Sequence, residues 1–325
     1  VPSKSDPTVR RLLTRWRALT GGAGGRDADR RTLVAFSGGS DSSALLLALS
    51  TQARHVVAAH IVHDMRSEAD AQADRAACEQ LCRTLGVPFV TRRISVQGRG
   101  NIEAAARRER YRALAELAHD AGCRFVATGH HAEDQLETLL MRLLRGSGPR
   151  GLRGIAIRRA LDRDITLIRP MLELRHTDAE RLCSACGWMW RTDATNADTT
   201  RLRAKLRHEV IPLLEAIAPG VAERSSSLAT AAAAAFGVIR VDAAALLRDS
   251  RRSPGEWSRG PWQAAPRAVV AEAVTQIVRS VHGTPRNREV LAAARAARSR
   301  SGEAKRFQFE GCTLIVEAAV VRVEA

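Results

Sequence analysis

A chain of 325 residues, 45% of them hydrophobic, exceeds the usual size of one domain, so a large domain followed by a smaller one is expected. Lysine and arginine number 51 against 35 aspartates and glutamates, and the net charge of +16 points to a polyanionic partner, nucleic acid first, over an acidic small molecule. Six cysteines without a framework spacing argue against a disulfide scaffold, and no run approaches the ~18 uncharged residues of a membrane span, so a soluble cytoplasmic protein without a membrane partner is expected.

Thr8 to Leu19 reads as a short basic helix and Gly21 to Gly25 as a flexible joint, together an N-terminal segment of residues 1–25. Leu33 to Phe36 is an apolar strand and Ser43 to Leu49 a helix. Between them, Ser37-Gly38-Gly39-Ser40-Asp41-Ser42 supplies two glycines, three hydroxyls and a carboxylate. Glycines let the backbone approach an anion, and the first amides of a helix have no intrahelical partner, so the turn is a phosphate cradle. It lacks the lysine of the P-loop and the spacing of the dinucleotide fingerprint, which excludes both. S-G-G-x-D-S resembles the pyrophosphatase loop of ATP-dependent adenylating enzymes that release pyrophosphate.

Apolar runs then alternate with helical patterns: His55 to Val62, Ser67 to Leu85, Val87 to Ile94, Ile102 to Ala121, Arg124 to Thr128 and Ala132 to Leu144, with a further strand at Thr166 to Ile168 and a helix at Thr177 to Cys186. Such alternation predicts an α/β domain over residues 26–217, a parallel sheet with helices on both faces. Ligands gather at the carboxyl edge of such sheets, where the glycine loop, His60 to Arg66 and Gly129 to Asp134 would converge. Beyond Pro219, helices are expected at Val221 to Leu247 and Arg267 to Val281, with a turn-rich stretch at Ser253 to Pro266. The alanine run Ala231 to Ala235 reads as close helix packing. Alternation between Arg306 and Val323 predicts short strands, giving a helical domain over 218–302 and a β-hairpin element over 303–325.

Three helical faces carry charge. Asp134, Glu137 and Thr138 stand at i, i+3 and i+4, fitting either a functional face or a solvated acidic one. Glu103, Arg107 and Arg110 share a face that an ordinary salt-bridge ladder explains equally well. Arg203, Lys205 and Arg207 precede Pro212 and read as a phosphate clamp or a basic surface. The pairs His60/His63 and His130/His131 lack a third ligand of proper spacing, which favours nucleotide contacts or structural roles over a metal. Trp188, Trp190, Trp257 and Trp262 offer base stacking or core packing.

Taken together, residues 32–216 resemble the tRNA(Ile)-lysidine synthetases, bacterial pyrophosphatase-loop ligases. The resemblance rests on Ser37 to Ser42, His60 to His63, Ile102 to Arg107 with Arg110-Tyr111, Thr128 to Thr138, Arg145 to Gly148, Arg169 to Leu172, Asp193 to Asn196 and the run from Arg203 to Pro212. Two departures stand out: Asp64-Met65 follows His63 where the family reads Gly-Leu, and Ala204 replaces a common Asn. A shortened C-terminal region is a third.

The resemblance implies an adenine nucleotide alpha hydrolase-like, Rossmann-like fold. It further implies ligation of free L-lysine to C2 of the wobble cytidine in a CAU-anticodon tRNA(Ile), through an adenylated cytidine, with ATP and Mg²⁺. Ser37, Gly38, Gly39, Ser40, Asp41, Ser42, His63 and His130 would hold the nucleotide, with Asp41 the carboxylate nearest the Mg²⁺. Asp41, Asp134, Glu137 and Arg107 would carry the chemistry, and Glu103, Arg110, Asp134, Glu137, Arg203 and Arg207 would meet lysine or tRNA. Self-association is compatible with all of this. Two rivals share the loop: a tRNA cytidine thiolase, which would need more than the single C-x-x-C at Cys183 and Cys186, and a catalytically idle RNA-binding relative.

Overall fold

Leu33 and Val34 are fully buried within β1 (Thr32–Ala35), a strand apolar on both sides, and that pattern places it inside a sheet covered on two faces. The computed structural model describes residues 2–22, 26–63, 68–95, 102–190 and 202–324, with the side chains of 27, 28, 63 and 103 excepted. The described chain divides into two compact units, Val1–Met141 with Gly154–Ser227 and Arg142–Arg153 with Leu228–Ala325.

In the first unit, β1 pairs in parallel with β2 (Val56–His63) and with β4 (Phe125–Ala127). The sheet runs β3-β2-β1-β4-β6-β5, where β3 is Phe89–Ile94 and β6 is Thr166–Ile168. Only the edge strand β5 (Arg158–Ala160) is antiparallel. One face packs α1 (Pro7–Leu19), α2 (Ser40–Ser50), α3 (Glu68–Leu85) and α7 (His176–Ala185) through Leu12, Leu45, Leu81 and Leu182. The other packs α4 (Ile102–Asp120) through Leu114 and Leu117. The expected doubly covered parallel sheet is therefore observed, and its order reverses between β1 and β4, the position where such folds open a crevice.

Residues 1–25 were expected to stand apart on a flexible joint, and the structure attaches their helix to the sheet. Asp6 caps α1 by accepting from the amides of Thr8 and Val9, and Trp16 is fully buried with its indole N–H donating to Thr32 Oγ1 at 2.9 Å.

In the second unit, α12 (Arg267–Ser280) and α13 (Asn287–Arg298) share a core with an antiparallel sheet of order β7-β8-β11-β10-β9. The tail strands β9 (Lys305–Phe309), β10 (Cys312–Val316) and β11 (Val320–Glu324) are not a separate hairpin element. They join β7 (Arg251–Ser253) and β8 (Glu256–Ser258), the latter inside the stretch expected to be mostly turns. Trp257 and Trp262 belong to this core, so packing is their use. Arg259 is buried beside them and donates to the carbonyls of Ala296, Ala297, Ser299, Ser301 and Glu317.

The long α10 (Val221–Asp249) departs from expectation. Its alanine run is largely exposed rather than close-packed, and Leu228, Val238 and Val241 also face outward. An 18-residue window of this helix has mean hydropathy 1.6 with 11% buried, long and apolar enough to cross a membrane by length and composition alone.

Candidate active site

The loop between β1 and α2 is organised by its own side chains. Ser42 Oγ donates to Gly39 O at 3.0 Å, accepts from the Ser37 amide at 3.2 Å, and lies 3.0 Å from Ser37 Oγ. Gly38 holds φ at +90°, a conformation that favours glycine. His60, buried within β2, anchors the entry to the loop through Nδ1 on Phe36 O at 2.9 Å. Ser37 to Ser42 thus form a fixed turn ahead of the amino end of α2, with Asp41 in the first helical turn.

The segment leaving β4 lies directly against this turn. A Cβ on Gly129 would stand 2.9 Å from the carbonyl carbon of Asp41 and 3.0 Å from the amide nitrogen of Ser42, so only glycine permits the approach. Next come His130, His131 and α5 (Ala132–Leu144). His131 Nδ1 is 2.8 Å from Glu133 Oε2, and its Nε2 faces Asp41 Oδ2 at 3.7 Å and Asp134 Oδ2 at 3.4 Å. Burial opposes charge on this ring, but Asp134, Glu133 and Asp41 outweigh it and lift the imidazole to about 9.

Asp134 and Glu137 do share one buried face, yet it is not a free acidic pocket. Arg207 donates to Asp134 Oδ1 at 2.7 Å and to Glu137 Oε2 at 2.9 Å. Arg203 reaches Asp134 at 3.4 Å and pairs with Glu137 through Nε. Arg203 lies in α8 (Leu202–Lys205), and Arg207 in a single π-helical turn, Leu206–Val210, that precedes α9 (Ile211–Ile217). Such turns recur at functional sites because they re-aim side chains within a continuing helix.

A cationic group completes the crevice. The Arg107, Arg110 and Arg159 guanidiniums sit 5.1, 5.7 and 4.9 Å from the centre of the Tyr111 ring, and Arg107 donates to the Tyr111 hydroxyl at 3.2 Å. Buried Arg169 donates to Ala156 O. Burial, followed by the charges of Arg169, Arg107 and Arg110, depresses His130 to about 3, so its ring is neutral, with Nδ1 on Thr128 Oγ1 at 2.9 Å.

Ser37 to Ser42, Asp41, His130, Asp134, Glu137, Arg203 and Arg207 therefore belong to one crevice, with Arg107 and Arg110 around Tyr111 in the same cationic group. The His63 and Glu103 side chains lie outside the described residues, as do Asp64, Met65, Asn101, Asp193 to Asn196 and Arg201. Sequence reading missed His176, whose Nδ1 lies 2.8 Å from Asp41 Oδ1. It missed Arg169 and Tyr111 as parts of the same charge group. His176 opens α7 just beyond the carboxyl end of β6, so the carboxyl-edge rule applied to that strand was the available signal. Local spacing offers the His130/His131 pair no third ligand, yet Asp41 and His176 stand beside His131 from distant parts of the chain.

A family profile described as a PP-loop domain matches residues 10–214. A tRNA(Ile)-lysidine synthase of Salinispora tropica is 38% identical over 234 residues, 70% of each chain. This chain belongs to the PP-loop tRNA(Ile)-lysidine synthase family. Other members include that of Geobacter sulfurreducens, 39% identical over 60% of this chain and 42% of its own, and that of Thermus thermophilus, 36% identical over 82% and 52%. The chain thus spans about half the length of these two synthases. Among solved structures, the U34-tRNA thiolase of Methanococcus maripaludis with its 4Fe-4S cluster matches at TM-score 0.54 and 15% identity over 68% of this chain and 76% of its own, a likeness of fold. Among the described residues of this synthase-family chain, no three cysteines converge, and burial pushes the Cys183 thiol up to about 12. That chemistry does not suit a cluster ligand set.

Proposed function

We propose that this chain ligates free L-lysine to C2 of the wobble cytidine of a CAU-anticodon tRNA(Ile), with ATP converted to AMP and pyrophosphate. The observation that carries the reading is the meeting of a pyrophosphatase loop with the Asp134/Glu137 face in one crevice at a sheet edge.

In the first step the cytidine O2 attacks the α-phosphorus, the bond to the β-phosphate oxygen breaks, and pyrophosphate leaves. The turn at Ser37 to Ser42 holds the leaving group with preset amides and hydroxyls, which need no rearrangement as charge develops. Arg107 and Arg110 add positive charge at the α-phosphate side. A Mg²⁺ ion, when bound, neutralises phosphate charge. Asp41, in the first turn of α2, is the carboxylate that would hold it.

In the second step the lysine ε-amine attacks C2 and the C2–O bond to AMP breaks. The ammonium has to give up a proton first, because its reference pKa is about 10.4. Asp134 is a poor acceptor: although burial opposes it, the charges of His131 and Arg207 and the His131 amide hold its carboxyl well below the ordinary range. Burial pushes Glu137 above its ordinary value against the pull of Arg207 and Arg203, which makes Glu137 the better base. With lysine absent, the guanidiniums of Arg203 and Arg207 compensate both carboxylates. Lysine entry then exchanges its ammonium for one of these guanidiniums, both of which are part exposed.

For the tRNA itself, the second unit carries a groove of about 660 Å³ in which Arg142, Arg150, Arg153, Arg267 and Arg279 face a single carboxylate, Glu272. Arg150 and Arg153 sit over the Phe236 ring at 5.7 and 4.6 Å. Guanidiniums held on an aromatic floor suit phosphate and unstacked bases. The test is incorporation of radiolabelled lysine into CAU-anticodon tRNA(Ile) with ATP. No incorporation under conditions where the tRNA binds would sink the proposal.

A further inference from the structure

We propose that Asp41, His131 and His176 form a binding site for one divalent transition-metal ion of the zinc and cobalt kind, occupied without nucleotide. One donor atom from each lies within 4.8 Å of the other two. His176 Nδ1 is 2.8 Å from Asp41 Oδ1 and His131 Nε2 is 3.7 Å from Asp41 Oδ2. Metal–ligand bonds of about 2.0–2.2 Å place neighbouring donors roughly 3–3.6 Å apart, so small side-chain adjustments would bring these donors onto one ion.

The outer nitrogens carry the stronger argument. His131 Nδ1 is held by Glu133 Oε2 at 2.8 Å, and His176 Nε2 by Glu180 Oε1 at 3.3 Å. The remaining nitrogen of His176 faces Asp41 and that of His131 lies between Asp41 and Asp134, at 3.7 and 3.4 Å, and each ring has a carboxylate behind it, the pattern that fixes tautomer and raises basicity in metal-ligating histidines. Glu133 is itself positioned, because it accepts the backbone amide of His176 at 3.0 Å. The ligands come from α2, the loop after β4 and α7, so the site exists only in the folded chain.

The donor set decides the ion. Two imidazoles and one carboxylate suit zinc, cobalt or nickel, whereas Mg²⁺ prefers oxygen donors and retained water. Asp41 and His176 are part exposed while His131 is buried, which leaves one side of the site open for water or a substrate oxygen. The inference is independent of the ligase reading, since its test uses the metal alone.

The experiment titrates Co²⁺ into the full chain after chelator treatment, without nucleotide, and reads both visible d–d absorption and binding heat. One Co²⁺ per chain with visible bands is expected, displaced by Zn²⁺ but not by millimolar Mg²⁺. Asp41→Asn and His176→Ala should each weaken binding at least tenfold, and Glu180→Gln about tenfold. Circular dichroism confirms that the variants fold, and His176→Gln serves if His176→Ala does not. Absence of bands and heat would overturn the proposal, as would Co²⁺ binding that survives these substitutions or yields equally to Mg²⁺. In those cases the three residues form imidazolium–carboxylate pairs and nothing more.

Discussion

Arg207 donates from one guanidinium nitrogen to both Asp134, at 2.7 Å, and Glu137, at 2.9 Å. Replacing it by alanine leaves two buried carboxylates with Arg203 as their main cation. Arg207→Ala should destabilise the first unit by about 1–3 kcal/mol, the lower part of that range applying because the side chain is 38% exposed. Arg207→Lys should restore only part, since one ammonium cannot match the fork that spans both acids. Denaturant unfolding of the three proteins measures the order.

Gly129 provides a second check on the crevice. A methyl group there meets backbone of the adjoining turn, which has no flexible end to yield. Gly129→Ala should cost about 1–3 kcal/mol of stability and raise the KM for ATP more than that for lysine. An unchanged KM for ATP would separate Gly129 from the cradle.

Glu215 predicts an acid limb. Burial raises its carboxyl, but the amides of Ala222 and Gly220 and the Arg175 guanidinium more than offset this and lower it. A depressed carboxyl contributes stability that is present above its unfolded pKa and is lost as pH falls through the folded one. Glu215→Gln should therefore lower the melting temperature at pH 7 and make little difference at pH 3, read by circular dichroism.

Arg259 is the corresponding anchor of the second unit. Five carbonyls receive its donors, so Arg259→Leu leaves them without those partners in a closed interior. A loss of more than about 3 kcal/mol is expected, at the upper end for single substitutions. Near-ultraviolet dichroism of Trp257 and Trp262 would report it locally.

For the groove of the second unit, Arg267→Ala and Arg279→Ala should weaken tRNA binding without slowing lysine incorporation at saturating tRNA. Each should reduce the slope of log affinity against log salt by about one. Filter binding at three salt concentrations measures both.

The parallel sheet was legible because its strands are continuous apolar runs, such as Val56 to Ala59, and because the glycine loop marks where β1 turns into α2. The Asp134/Glu137 face was legible from helical spacing. Its compensation was not: Arg203 and Arg207 lie about 70 residues downstream, and no local pattern encodes which basic residues fold back onto which acids. His176 escaped for the same reason, standing 135 residues from Asp41. The exposed alanines of α10 show the opposite limit, since small side chains permit close packing without requiring it.

The division of the chain has a consequence for synthesis. Residues 142–153 leave the first unit, serve the second, and hand back at residue 154. Arg150 ends up against Glu272, 122 positions later, and Asn287 against the carbonyl of Gly146. A ribosome thus releases the Arg142–Arg153 loop long before its partners exist, and the nascent loop has to wait, solvated, while roughly a hundred further residues emerge. No single cut separates the two units, and a fragment ending at Ser227 would carry that loop with its lifelong neighbours removed.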